Sequence, residues 1–330
     1  MKIIFMGTPD FAVPALKALA ESGKHEVSLV VTQPDRPKGR SGKPAPSDVK
    51  LCAQEYGIPV FQPERVREKE AVDRLREEEA DIIVVAAFGQ ILPKEILEMP
   101  RYGCVNIHGS LLPAYRGAAP IQWAVLDGQK EAGDTIMQMN EGLDTGDILT
   151  QEKVELSPDE TAGSLYDRLS EMGGPLLLRT LDEIAAGTIT PVPQDDAKSC
   201  YAKMLRKEMG NIDWNRSAEE IGRLIRGLNP WPSAYTHWNG KMLKIWMAKP
   251  VTGEELRELG CGGKNGLDFK EVKPGTVMIV TKDALMVETG DGLLALEELQ
   301  LEGKKRMPVQ AFLMGCRMQA GEQLERIGRF

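Results

Sequence analysis

Residues 81–88 read Asp-Ile-Ile-Val-Val-Ala-Ala-Phe, apolar without a break after the first residue. A strand with one wet face alternates polar and apolar side chains. This run does not, so both of its faces must be covered. Residues 2–7 (Lys-Ile-Ile-Phe-Met-Gly) and 27–32 have the same character. Between them, 11–20 is expected to be a helix that buries Leu16 and Leu19 on one face. Strands are further expected at 134–140 and 148–156. A long helix is expected at 161–186, with Leu165, Leu169 and Met172 at helical spacing. Doubly covered strands alternating with helices predict a largely parallel α/β sheet of Rossmann-like type.

A chain of 330 residues exceeds one ordinary core, so a second domain is expected. The polar, Pro-containing stretch 187–200 marks the boundary. The expected layout is a catalytic domain over 1–189, a linker over 190–204 and a C-terminal domain over 205–330. In the last part a helix at 217–228 precedes short β-type runs at 276–280, 284–288 and 293–299, and Asn239-Gly240 signals a hairpin turn. A small β-barrel of OB-like kind fits this pattern. The Gly- and charge-rich stretch 252–270 is expected to be a mobile loop.

Composition removes several function classes. The apolar runs are too short to cross a bilayer, so no membrane partner is expected. Lys2 leads into a brief strand-like run ending at Gly7, not a secretory signal, so the expected location is the cytoplasm. Five scattered cysteines form no C-x-x-C pair, and His25, His108 and His237 do not cluster, so no metal is expected. The net charge of −8 is uneven, with an acidic front and a mildly basic back. Within the acidic part, residues 33–50 carry five cations against two anions, with four prolines and two glycines. Such a segment is expected to form no regular element. Arg36, Lys38, Arg40 and Lys43 make it attractive to phosphates, although a merely solvated loop has the same composition.

Three places could carry chemistry. The turn Gly7-Thr8-Pro9-Asp10 follows the first strand, where α/β sheets often meet ligands, but it lacks the further glycines of a dinucleotide fingerprint. It is expected to be a tight strand-to-helix turn. In Cys104-Val105-Asn106-Ile107-His108-Gly109, strand alternation puts Asn106 and His108 on one face at a strand's carboxyl end. A carboxamide beside an imidazole can address one developing oxyanion and move a proton near neutral pH. In Glu141-Gly-Leu-Asp-Thr-Gly-Asp147, either Asp144 or Asp147 could orient His108, and either could simply cap a turn.

The pattern Asn106-x-His108-x-Ser110-Leu111-Leu112-Pro113-x-x-Arg116-Gly117, followed by Leu143-Asp144-Thr145-Gly146-Asp147, resembles the signature of folate-dependent formyltransferases. The resemblance implies a catalytic triad of Asn106, His108 and Asp144. It implies 10-formyltetrahydrofolate as co-substrate, without a metal. It also implies a folate site lined by Phe88, Gly89, Gln90, Ile91 and Leu92 together with Ser110, Leu111, Leu112 and Pro113. Residues 7–12, 33–37, 116–123 and 228–235 are similar to the members that formylate the α-amino group of methionyl initiator tRNA, and the likeness runs along the whole chain. On that likeness initiator methionyl-tRNA is the expected partner of a monomeric enzyme. Arg36, Lys38, Arg40 and Lys43 would meet its acceptor end, and the C-terminal barrel would track its backbone. The alternative within the family is a small amine acceptor, such as glycinamide ribonucleotide or an amino sugar nucleotide.

Overall fold

The computed structural model describes residues 1–37, 42, 44–252, 254–255 and 272–328. Lys38, Arg40 and Lys43 of the expected tRNA contacts lie outside these residues, as does nearly all of 252–270. The chain divides into two compact units. The first comprises 1–121, 130–156 and 164–203, and the second 122–129, 157–163 and 204–330.

The first unit is built on a seven-stranded sheet. Its strands are β1 (Lys2–Gly7), β2 (Glu26–Val31), β3 (Val60–Phe61), β4 (Ile82–Ala86), β5 (Cys104–His108), β6 (Glu131–Gln138) and β7 (Ile148–Glu155). The order is β7-β6-β5-β4-β1-β2-β3. From β3 through β5 all neighbours are parallel, and β6 runs antiparallel to both β5 and β7. Every residue of β4 is buried, as its unbroken apolar run requires. The chain leaves β1 toward β2 and β3, then crosses back to β4 on the other side. The carboxyl ends of β1 and β4 therefore flank the switch point where open α/β sheets hold ligands.

Three expectations need correction. The first helix, α1 (Val13–Glu21), starts later than its apolar pattern suggests, because Pro14 sits in its first turn and a 3₁₀ turn at Asp10–Ala12 precedes it. Residues 33–50 are not devoid of regular structure. Arg36–Pro37 pairs with Pro44–Ala45, and a helix, α2 (Asp48–Glu55), begins inside the stretch. The overlooked signal is Ser47, whose Oγ accepts from the Lys50 amide at 3.0 Å as an N-cap.

Strand β6 begins three residues earlier than the expected 134, because Glu131 and Gly133 hide its start. Asp134 is fully buried, faces the helix α3 (Ala162–Ala186) at Gly173, and neither carboxyl oxygen has a hydrogen-bond partner. Burial, with Glu152 adding repulsion, pushes its carboxyl well above the usual range. The folded state therefore keeps this proton when the unfolded chain has lost it. The stabilisation is complete below the ordinary carboxylate pKa and drains away as pH rises toward the folded value, by about 1.4 kcal/mol per pH unit. Asp134→Asn, a neutral isostere, should melt close to wild type near about pH 4 and several degrees above it near about pH 8. Thermal melts at the two pH values check this, and a wild type that gains stability over the variant on going alkaline would contradict it.

In the second unit the strands are β8 (Ala234–Trp238), β9 (Lys241–Pro250), β10 (Val277–Val280), β11 (Leu285–Glu288) and β12 (Leu293–Leu301), in the order β8-β9-β12-β11-β10. The β8–β9 turn has positive φ at Asn239 (49°) and Gly240 (73°), the conformation that an Asn-Gly hairpin favours. The segment 322–325 closes the sheet into a barrel. Glu325 exchanges backbone bonds with His237 on β8, and the Val277 amide of β10 donates to the Glu322 carbonyl at 2.8 Å. Trp214, Ile225, Leu243, Val287, Leu296 and Phe312 fill its core. The helix α4 (Ala218–Gly227) begins with a capping box: the Ser217 amide donates to Glu220 and the Glu220 amide to Ser217 Oγ. Among the described residues no helix is long and apolar enough to cross a membrane.

Candidate active site

The turn after β1 is tight for packing reasons. A Cβ at Gly7 would lie 2.8 Å from that of Ala12 and 3.0 Å from the Ala86 carbonyl, so glycine lets β1 end directly beside β4. Thr8 Oγ1 then donates to the Phe88 carbonyl at 2.9 Å and ties the loop after β4 to the turn after β1. Asp10 accepts from the Phe11 amide and from the Tyr166 hydroxyl at 2.5 Å, which makes it a structural cap.

One strand away, β5 carries Asn106 and His108 on the same face, as alternation requires. Asn106 is half-buried, and among the described residues no hydrogen bond engages its carboxamide. His108 is buried. Its Nε2 lies 2.9 Å from the Tyr115 carbonyl, and its Nδ1 lies 3.8 Å from Asp144 Oδ2. The second distance exceeds a hydrogen bond, so Nδ1 is the ring nitrogen left to meet a reacting group. A carbonyl only accepts, so Nε2 carries a hydrogen and donates it to Tyr115.

Asp144 has φ 52°, in the left-handed region that Asp tolerates better than most side chains. Its Oδ2 accepts from the Gly117 amide at 2.9 Å. Residue spacing left Asp144 and Asp147 open. The pairing with His108 is made by Asp144, while Asp147 is joined to Gln138 through its backbone carbonyl. Tyr115, whose carbonyl anchors the imidazole, also has a left-handed backbone, at φ 60°, a strain of about 1–3 kcal/mol that the surrounding bonds must hold. Its amide meets Cys200 Sγ at 3.2 Å.

The residues expected to line a folate site fall on two loops. In 110–113, Ser110 Oγ donates to the Ala114 carbonyl at 2.7 Å, Thr135 Oγ1 donates to the Ser110 carbonyl, and Gln151 donates to the Leu112 carbonyl. Ser110 and Leu112 are buried, while Leu111 and Pro113 are half-buried. In 88–92, Phe88 and Leu92 belong to the hydrophobic core, and Gln90 is spent on the backbone of 63–66. Gly89 is exposed at φ 86°, where a Cβ would touch Gln33 Nε2 at 3.6 Å, and Ile91 is 84% exposed. A ligand would therefore meet mainly the backbone of these loops and the Ile91 side chain. Arg36, on the short ladder with Pro44–Ala45, is exposed. Among the described residues no group of three or more His, Cys, Asp or Glu could hold a metal ion.

Pattern reading missed the Tyr115 carbonyl, the Gly117 amide, Thr135 and Gln151. Tyr115 and Gly117 fall inside the signature pattern but act through backbone groups, and Thr135 and Gln151 reach the loop from distant sequence.

Residues 1–181 match the formyl transferase family, and residues 204–317 match the formyl transferase C-terminal domain. The chain is 55% identical to the methionyl-tRNA formyltransferase of Lachnospira eligens, over 98% of its own length and 99% of the relative's. It is 52% identical to the protein of the same name from Geobacter metallireducens, over 98% of each chain. Among solved structures, HypX from Aquifex aeolicus in complex with tetrahydrofolic acid has the same fold, with a TM-score of 0.60 at 19% identity. That match covers 96% of this chain and 47% of HypX, so the chain spans about half of that protein's length.

Proposed function

The chain belongs to the formyl transferase family, and from that premise we propose that it transfers the formyl group of 10-formyltetrahydrofolate to the α-amino group of methionyl initiator tRNA. The single observation that carries the catalytic reading is the pairing of His108 Nδ1 with Asp144 at 3.8 Å, beside a carboxamide from Asn106 on the same strand face. The residues fit the donor. An unengaged amide and an imidazole share one strand face, and the loop after β4 is exposed at Gly89 and at the apolar side chain of Ile91.

The donor supplies an activated formyl carbon. The nucleophile is the neutral amine, whose reference pKa of about 8 leaves a usable fraction uncharged near neutral pH without a strong base. As the amine adds, the formyl oxygen takes up negative charge. Asn106 and a doubly protonated His108 donate to it, each such donor contributing about 3 kcal/mol in comparable oxyanion sites. The Tyr115 carbonyl fixes the ring, and Asp144 stabilises its positive charge across the gap at Nδ1. Collapse of this adduct breaks the carbon–nitrogen bond to the folate, and the amine's proton reaches the departing nitrogen through His108 or water. In this reading Phe88 to Leu92 and Ser110 to Pro113 receive the folate through their backbone. Residues 1–189 form the catalytic domain, and 205–330 form the part that holds tRNA, together with Arg36, Lys38, Arg40 and Lys43. The enzyme acts as a cytoplasmic monomer.

What favours tRNA over a small amine is the match across the C-terminal domain together with relatives of that name at full length. Tetrahydrofolate release should follow addition of initiator methionyl-tRNA and not of glycinamide ribonucleotide or an amino sugar nucleotide. Equal turnover with either small amine would replace this acceptor assignment.

A further inference from the structure

In the run 191–198 every residue is exposed except Gln194, which is half-buried. Its carboxamide is completely used. Nε2 donates to the Asp144 carbonyl at 2.9 Å and to the Gly146 carbonyl at 2.7 Å, while Oε1 accepts from Arg116 Nε at 2.9 Å. Arg116 is itself held by Asp196 at 2.8 Å. One planar amide thus clamps two carbonyls on either side of Thr145, in the loop whose Asp144 has a left-handed backbone and faces His108.

The neighbours of Gln194 are tied to the same site. Val192 and Ile148 exchange two backbone bonds of 2.8 Å, the Cys200 carbonyl accepts from the Arg116 amide, and Tyr201–Ala202 pairs with Arg116–Gly117. The stretch expected to be a linker is therefore a strap across the catalytic loops. We propose that Gln194 is a positioning residue for formyl transfer, holding Asp144 in the conformation that presents its carboxylate to His108. This rests on the formyltransferase reading above. The physical reason is that an aspartate at φ 52° relaxes toward ordinary backbone angles unless its peptide is held, and Gln194 is the side chain that holds its carbonyl.

Glutamate is the discriminating substitution. Gln194→Glu keeps the shape and can pair with Arg116, but it has no hydrogen to give the two carbonyls. In the full-length enzyme, Gln194→Ala and Gln194→Glu should both lower kcat on the order of a hundredfold, the loss expected from misplacing a reacting group by about 1 Å. KM for each substrate should stay within about twofold, since the Gln194 amide is committed to Asp144, Gly146 and Arg116. In an Asp144→Asn background, Gln194→Ala should cost less than about twofold more, because it acts through a carboxylate already removed. A Gln194→Glu enzyme with wild-type kcat, or a loss that multiplies in full with that of Asp144→Asn, overturns the proposal. Thermal melting confirms folding, and if the alanine variant fails to fold the isosteric glutamate decides. Wild-type turnover separates the two claims. An inactive wild type sinks the formyltransferase reading, whereas an active wild type with unimpaired Gln194 variants sinks only the strap.

Discussion

His108→Ala is expected to lower kcat for formyl transfer by about three orders of magnitude, with folate affinity nearly unchanged. The size follows from the geometry. The ring is buried, so its interaction with a developing charge is poorly screened. Nε2 is committed to the Tyr115 carbonyl, which leaves Nδ1 alone to serve the reaction, and alanine leaves no group in its place. Asn106 remains as a donor and accounts for residual catalysis. Asp144→Asn should cost less than His108→Ala, because the Tyr115 carbonyl still anchors the ring. The double variant should lose little beyond His108→Ala, since groups that act as a unit are not additive. Single-turnover rates with saturating substrates measure this, and an alanine variant within about tenfold of wild type would contradict the role given to His108.

Gly146→Ala is expected to lower kcat about a hundredfold while leaving the fold intact. An added Cβ there would lie 1.7 Å from the Gln138 carbonyl oxygen and 2.8 Å from its carbon. These are backbone atoms of β6, anchored by pairing with β5 on one side and β7 on the other, so they cannot swing aside. The loop has to yield instead, and it carries the Gln138–Asp147 backbone bond, the clamp at Gly146 and the approach of Asp144 to His108. Gly142→Ala is the matched control in the same loop. Its Cβ would meet first the Thr145 hydroxyl, at 2.1 Å, a side-chain group that can turn aside at the cost of one bond to Asn140. That variant should keep kcat within about threefold of wild type. A Gly146→Ala enzyme with kcat as near to wild type as Gly142→Ala would mean that loop position does not matter to the chemistry.

The fold was legible where local pattern decides it. Unbroken apolar strands announced the doubly covered sheet, Asn239-Gly240 announced the hairpin, and strand alternation put Asn106 and His108 on one face before any coordinate. Much of the site's support was not legible. The bond from the Tyr115 carbonyl to His108 depends on a left-handed backbone at a tyrosine, which no propensity predicts. Gln194 stands 50 residues from Asp144 in a polar run whose composition reads as linker, and only its burial among exposed neighbours singles it out. Asp134 misleads in the opposite sense, since an acidic residue argues against a buried strand position and yet occupies one. Phe88 and Leu92 were expected to line a folate site, but their side chains fill the core.

The central claim concerns the bond that the enzyme makes. Initiator methionyl-tRNA incubated with the protein and 10-formyltetrahydrofolate, then hydrolysed and analysed by mass spectrometry, should yield methionine carrying one added formyl group on its α-nitrogen. Recovery of unmodified methionine from that incubation, with the folate donor unconsumed, would contradict the account.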